Sequence, residues 1–254
     1  MTQSQETIVE QQFGPQADAY VRSPVHAAGE DLDALEAIVR RHAPAHALDL
    51  GAGGGHVAYR LAPHAGAVTA SDLSTEMMAA VAATAREKRL ANIRTQAAPA
   101  EQLPFTDAMF DFLACRFSIH HWRDMEAGLR EARRVLRAGC PAVFIDVVSP
   151  GAPALDTHLQ AVELLRDPSH VRDYSAAEWY AALGRAGFAV RAIRNFRLRM
   201  DYPSWVERMR TSPAHREAIR SLQDAASATV STHFAIEPDG SFTLDTALFE
   251  AVAV

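Results

Sequence analysis

The stretch Ala47-Leu48-Asp49-Leu50-Gly51-Ala52-Gly53-Gly54-Gly55-His56 decides the reading of this chain. A short apolar run containing one acid passes straight into a glycine-rich turn, and a helical pattern starts behind it at residues 57–61. Glycine adopts positive φ at little cost and lets backbone approach a ligand closely. At the carboxyl end of the first strand of an α/β sheet, such a turn is where nucleotide-like ligands dock. The turn alone also fits a tight strand-to-helix connection that binds nothing.

The details of the turn narrow the ligand. A dinucleotide fingerprint needs G-x-G-x-x-G, and the sixth position counted from Gly51 is His56. Asp49, two residues before the first glycine, is a poor neighbour for a pyrophosphate because like charges repel. It is a good neighbour for an ammonium group. S-adenosylmethionine carries an ammonium and a sulfonium, and no phosphate. Residues 67–71 read as a second strand ending at Asp72, about 20 residues beyond the glycines, the spacing at which a second-strand acid takes ribose hydroxyls. Asp72 and Ser74 also fit a helix N-cap. Met77, on the first turn of the next helix, suits either an adenine face or the core.

Outward from this unit, strands alternate with helices. Residues 47–50, 67–71, 93–97, 110–115, 142–148 and 188–200 read as strands, and 241–252 as a seventh that would close the sheet. Residues 31–41, 57–61, 75–89, 125–136 and 175–186 read as helices, with Ala138-Gly139 and Gly187 as stops. The alternation predicts a doubly wound, mostly parallel α/β sheet with helices on both faces. Two segments exceed what connections need: 149–174 and 201–240, the second broken at Pro203, Pro213 and Pro238. Long ordered insertions tend to be lids or binding elements, so both are expected as helical caps on a single domain spanning 1–254, the first on the substrate side.

The residues 47–58, 71–77, Ala100-Glu101-Gln102-Leu103-Pro104-Phe105 and Phe110-Asp111 resemble the successive motifs of class I S-adenosylmethionine-dependent methyltransferases, nearest to the ubiquinone/menaquinone-biosynthesis type. The resemblance implies a Rossmann-like, seven-stranded fold and a set of site residues. Asp49, Gly51, Ala52 and Gly53 would surround the methionine part of the cofactor, with Arg116 and Phe117 completing that pocket. Asp72 and Leu73 would hold the ribose. Met77, Pro99, Ala100 and Glu101 would flank the adenine. Tyr20 would reach over the cofactor carboxylate, or pack on the core. Many relatives carry an acid where this chain has Pro99, and proline offers no backbone N–H, so adenine recognition rests on the Ala100 amide, Glu101 or shape.

The segment Ser118-Ile119-His120-His121-Trp122 follows strand four at the mouth of the sheet. His120 or His121 is placed to take a proton from a phenol, enol or amine. Equally, one can bond backbone and the other pack. In the first insertion, His170, Arg172 and Tyr174 alternate and would share a face if extended. Together with His158 they are candidates for an acceptor pocket, against the alternative of a solvated loop. Trp179, Trp205 and Phe234 read as packing.

Composition sets outer limits. The 254 residues carry net charge −6 and 48% hydrophobic residues, enough for a sizeable core. No run approaches 18 apolar residues, and residues 1–12 lack the basic and apolar regions of a signal peptide. Cys115 and Cys140 are far apart and form no metal-binding pair, which fits a reducing cytoplasm and no metal. Arg130, Arg133, Arg134 and Arg137 share a helix side, a solvated face paired with Glu126 and Glu131 rather than a nucleic-acid stripe. No Asn/Asp-Pro-Pro-Tyr/Phe tetrapeptide is present. The expected activity is methylation of a small-molecule acceptor by a cytoplasmic monomer or homodimer, without nucleic acid or membrane insertion, with S-adenosylhomocysteine as co-product. The competing expectation is a regulatory or assembly protein that binds S-adenosylmethionine without catalysis.

Overall fold

A computed structural model describes residues 3–16 and 27–254. Seven strands form one sheet in the order β3-β2-β1-β4-β5-β7-β6. They are β1 His46–Leu50, β2 Ala67–Asp72, β3 Ile93–Ala97, β4 Phe112–Arg116, β5 Pro141–Val147, β6 Phe188–Met200 and β7 Phe242–Ala253. β1 pairs in parallel with β2 and β4, β2 with β3, and β4 with β5. β7 is antiparallel to both neighbours and lies inside the sheet, so β6 rather than the last strand forms the edge. Every residue of β4 and β5 is buried, as expected of parallel strands covered on both faces.

Helices α1 Gln5–Phe13 and α2 Glu30–His42 precede the sheet; α3 His56–Leu61 and α4 Thr75–Glu87 follow β1 and β2; α5 Met125–Val135 follows β4. One face of the sheet packs Leu32, Leu35, Ile38 and Val39 of α2 with residues of α3 and α4. The other packs Leu129, Ala132 and Val135 of α5 with Trp179, Ala182 and Leu183 of α7, Ala176–Ala186. α7 starts where the sequence places it. Ser175 and Glu178 exchange the two hydrogen bonds of a capping box, and Gly187 ends the helix at φ 90°.

Two local expectations are corrected. α5 stops at Val135, before Gly139, because Leu136 is drawn into a short parallel bridge with Phe110. The same bridge takes Phe110 out of β4. Pro203 and Pro213 do not break helices. They sit in the first turns of α8, Tyr202–Arg208, and α9, Pro213–Asp224, where the missing N–H has no partner to lose.

The two insertions build one layer. α6, Pro153–Arg166, from the first, packs Leu155, Leu159 and Val162 against Trp205, Ile219, Val230 and Phe234 of α8, α9 and α10, Ala228–His233, from the second. This third core continues onto Val147 at the end of β5 and Leu244 of β7. Among the described residues no helix is long and apolar enough to cross a membrane. Arg130 and Arg134 of α5, and Arg137 just beyond it, are paired: Arg130 with Glu126, Arg134 with Glu131 and Asp107, Arg137 with Asp111.

Trp179 stacks on Phe249 of β7 with ring centroids 5.0 Å apart, and its ring centroid is 6.0 Å from that of Phe144 of β5. It thereby ties α7 to the antiparallel half of the sheet. Trp179→Ala is expected to lower stability by about 3–5 kcal/mol, read as an earlier urea midpoint.

Candidate active site

The first cleft opens at the carboxyl ends of β1, β2 and β4, where a parallel α/β sheet presents its ligand site. The glycine turn forms its floor. Gly51 N and Ala52 N both donate to Ser71 O, at 2.8 and 2.9 Å, which binds the turn to the end of β2. Gly51 has φ 70°, and a Cβ there would lie 2.0 Å from Ser118 Oγ. Gly53 has φ 48° and open space where a Cβ would project. One glycine is required by packing and the other by the bend, which leaves backbone bare toward the cleft.

Two acids face this floor. Asp49 is 1% exposed; its Oδ2 accepts from Ala58 N at 2.9 Å, while its Oδ1 is buried with no hydrogen-bond partner. Burial pushes its carboxyl up to about 7, and nearby Asp72 adds to the shift. Asp72 accepts from Gly53 N through Oδ2 at 2.8 Å and from Ser74 N through Oδ1 at 3.1 Å. Burial raises its pKa as well, against those backbone bonds. Ser74 caps α4 by accepting from Met77 N. Ser74 thus takes the N-cap role, and Asp72 lines the cleft.

Leu73, Met77, Pro99, Ala100 and Glu101 line the same cleft, as do Arg116 and Phe117. Met77 also packs in the core beside α4. Arg116 is held by Asp31 of α2, Nε to Oδ2 at 2.6 Å and Nη2 to Oδ1 at 3.3 Å, with both side chains buried. Its guanidinium covers the Phe117 ring at 4.4 Å. Phe117 has φ 52°, a strained value for an aromatic residue, fixed by its N–H donating to Ile145 O at 2.9 Å. α1 lies over the cleft through Gln5, Glu6, Val9 and Phe13. Gln5 Nε2 donates to Ser169 O at 2.7 Å and holds it there. Tyr20 lies outside the described residues.

Phe13, Phe117 and His121 also line a second cavity of about 90 Å³, roofed by the two insertions. Here the two histidines separate. His120 Nδ1 is 2.6 Å from Asp146 Oδ1. Burial opposes protonation of His120, but the Asp146 carboxylate outweighs it and raises the pKa to about 9. His121 is driven the other way, to about 4, by burial and by the His120 charge beside it, with ring centroids 4.1 Å apart. His121 Nδ1 faces Ser169 O at 3.3 Å and Ser169 Oγ at 3.2 Å. The Ser169 hydroxyl donates to Asp167 Oδ1 at 2.6 Å, so both partners of Nδ1 are acceptors. The Nδ1 therefore carries the hydrogen, and Nε2 presents a lone pair.

The proposed substrate residues fare differently. His158 packs its ring on Phe234, with centroids 5.4 Å apart, and lines neither cavity. Residues 170–174 are not a strand: Val171 N and Arg172 N both donate to His120 O. Arg172 pairs with Asp156 and Glu178, and Tyr174 packs beside the core under α7. His170 bonds Gln160 Oε1 at 2.9 Å and supports His120 from behind, with centroids 6.0 Å apart. The cavity is lined instead by the out-of-phase Asp173, with Glu163, Arg166, Asp167, Trp205 and Arg208. Sequence reasoning missed these, and also missed Asp146. Asp146 did carry a signal, since an acid inside the apolar run of a central strand is the same mark that Asp49 makes.

A sheet of this order, with a glycine turn and two acids at the ends of β1 and β2, defines a class I methyltransferase. A family model described as a methyltransferase domain matches residues 48–144. The chain is 43% identical over 197 residues to the uncharacterized protein YafE of Escherichia coli (strain K12), covering 78% of this chain and 95% of that one. It is 37% identical over 205 residues to the uncharacterized methyltransferase YcgJ of Bacillus subtilis (strain 168), covering 81% of each. The YcgJ crystal structure superposes with TM-score 0.84 and 32% identity over 88% of this chain and 97% of that one. A shorter match, 36% identical over 99 residues, reaches the ubiquinone/menaquinone biosynthesis C-methyltransferase UbiE of Rickettsia felis, covering 36% of this chain and 40% of that one. The chain belongs to the class I methyltransferase family, whose norm is dependence on S-adenosylmethionine, and it is an enzyme.

The raised pKa of Asp49 has a stability consequence. Its folded value, about 7, lies above the unfolded value of 3.8. The neutral form is therefore favoured by folding, and stability is lost as pH rises from about 4 through 7. Asp49→Asn keeps an acceptor for Ala58 N and removes the buried charge. The ligand-free variant is expected to exceed the parent in stability at pH 8 by on the order of 2–4 kcal/mol. The gap should close by pH 4, in urea titrations run at both values.

Proposed function

We propose that this methyltransferase moves the methyl group of S-adenosylmethionine to a small-molecule acceptor and releases S-adenosylhomocysteine. The observation that carries this reading is the unpaired Asp49 Oδ1 beside bare Gly53 backbone, in a cleft sharing His121 with a second cavity. A buried carboxylate oxygen without a donor fits a ligand ammonium. Asp49, Gly51, Ala52, Gly53, Arg116 and Phe117 would hold the methionine part. Asp72 and Leu73 would take the ribose, and Met77 with the Pro99-Ala100-Glu101 turn the adenine. When bound, the cofactor supplies an electrophilic sulfonium methyl for in-line displacement.

The chain's own residues do the rest. α1 and the cap layer cover the site and exclude water. Phe117 and His121 stand where the two cavities meet, so an acceptor reaching from the second cavity presents its nucleophile there. Alignment of the two reactants supplies much of the barrier reduction. His121 Nε2 accepts a hydrogen bond from an acceptor hydroxyl and orients it. A base near 4 does not ionise a phenol or enol in advance. The proton passes to Nε2 as the new bond to carbon forms and makes the O–H strongly acidic. His120, charged and bonded to Asp146, positions His121 and acts as no base at neutral pH. This division of labour favours catalysis over a binding-only role. The net charge of −6 and the ion pairs of Arg130 and Arg134 support action without nucleic acid, by what would be a cytoplasmic monomer or homodimer.

Calorimetry should show S-adenosylmethionine binding that Asp72→Asn weakens. Tritium transfer to a metabolite panel should find an acceptor. His121→Ala should lower kcat by roughly 10²–10⁴-fold with cofactor Kd unchanged. Absence of cofactor binding, or turnover indifferent to His121, would contradict the reading.

A further inference from the structure

The second cavity carries more polar chemistry than an acceptor pocket for a purely apolar compound requires. Around it stand the carboxylates of Glu163, Asp167 and Asp173, with Asp146 behind His120, and the cations of Arg166, Arg208 and His120. Among the described residues Asp146 is spent on His120, Glu163 lies 3.6 Å from Arg166, and Asp167 Oδ1 accepts from Ser169 N and Oγ. Asp173 is the acid left with neither a hydrogen bond nor an arginine partner there, and burial with the neighbouring Glu163 charge holds its carboxyl well above the ordinary range until a cation arrives. It is 1% exposed, and its carboxylate has no hydrogen bond among the described residues. His170 Nε2 is 4.0 Å away, but that N–H is directed at Gln160 Oε1. Gln160 is fixed in this sense because its amide nitrogen donates to Asp156 and to Asp173 O.

A second, independent group is also left open in this cavity, and it calls for an acceptor such as a hydroxyl oxygen. Trp205, 1% exposed and on the opposite insertion, lines the cavity, and its Nε1–H has no partner. Its ring is covered on one side by Arg166 at 4.9 Å. Asp167 Oδ2 is unpaired as well. Buried polar groups are ordinarily bonded, and here an acceptor-bearing acid and a donor-bearing indole are left open around one space. Phe13, Phe117 and Trp205 supply aromatic surface that a cation tolerates.

We propose that the second cavity is the acceptor subsite and that it takes an amine-bearing head group, with the ligand ammonium donating to Asp173. This rests on the methyl-transfer reading above. It specifies an acceptor with a hydroxyl-type nucleophile at His121 and a cationic amine held by the cap. Asp173 is then a specificity residue, and its unpaired state lowers the stability of the ligand-free protein.

The test uses the full chain saturated with S-adenosylhomocysteine, so that the first cleft is filled. Benzylamine, benzyl alcohol and benzoate, which share a ring and differ in head group, are titrated by calorimetry. Benzylamine is expected to bind best, and Asp173→Asn to weaken it at least about tenfold, with S-adenosylhomocysteine affinity unchanged. The ligand-free variant should melt at a higher temperature than the parent, which also shows that it folds. Preference for benzoate or benzyl alcohol, no benzylamine binding, or benzylamine affinity indifferent to Asp173 overturns the proposal. Failure of S-adenosylhomocysteine itself to bind overturns the earlier reading instead, so the two failures are distinguishable.

Discussion

The segment that closes the carboxyl ends of β4 and β5 depends on one buried carboxylate. Asp146 sits near the carboxyl end of β5, 2% exposed. It accepts from His120 Nδ1 and Val147 N through one oxygen and from Ile119 N through the other. A charge in a central strand is tolerable only when it is fully bonded, and the three donors meet that condition. In return, the segment after β4 is fixed at the mouth of the sheet. The consequence runs through the electrostatics. Asp146 keeps His120 charged, and that charge with burial keeps His121 and His170 neutral. Two adjacent histidines thereby acquire opposite protonation states at neutral pH, which is how one fold separates a positioning group from a hydrogen-bond acceptor.

The first cleft was legible in the sequence because the features that build it are local. Gly51 and Gly53 need positive φ, Asp49 interrupts an apolar strand, and Asp72 follows at a fixed spacing; each mark lies within a few residues of its structural cause. The strand and helix alternation was legible for the same reason, with β3 and β6 matching the periodicity at both ends. What failed was non-local. The end of α5 is decided by a bridge to Phe110, and the place of β7 by pairing with β5 and β6. The second cavity was the least legible part. Glu163, Asp167, Asp173 and Trp205 come from two separate insertions that meet through the third core and through hydrogen bonds such as Arg166 Nε to Trp205 O. The alternation of His170, Arg172 and Tyr174 misled because that segment is shaped by the His120 carbonyl rather than by a strand partner.

Most of the buried unsatisfied atoms in the described residues stand at the two cavities, Ser71 Oγ and Trp179 Nε1 being the exceptions in the sheet core. Asp49 Oδ1 faces the first; Asp167 Oδ2, Asp173 Oδ2 and Trp205 Nε1 surround the second; and the left-handed Phe117 stands where they meet. Elsewhere the same fold satisfies such groups with care. The Arg116–Asp31 pair, the Ser175–Glu178 capping box and the Asp111 carboxylate, which accepts from Ala45 N and His46 N, leave little open. A sequence able to close its polar ledger so well around the sheet has the means to do so in the caps. Each open group lowers the stability of the empty protein, and a ligand that supplies the missing partner recovers that loss on binding. Unpaired acids of two different settings, one against bare glycine backbone and one beneath the insertions, are what the proposed pair of ligands would each complete.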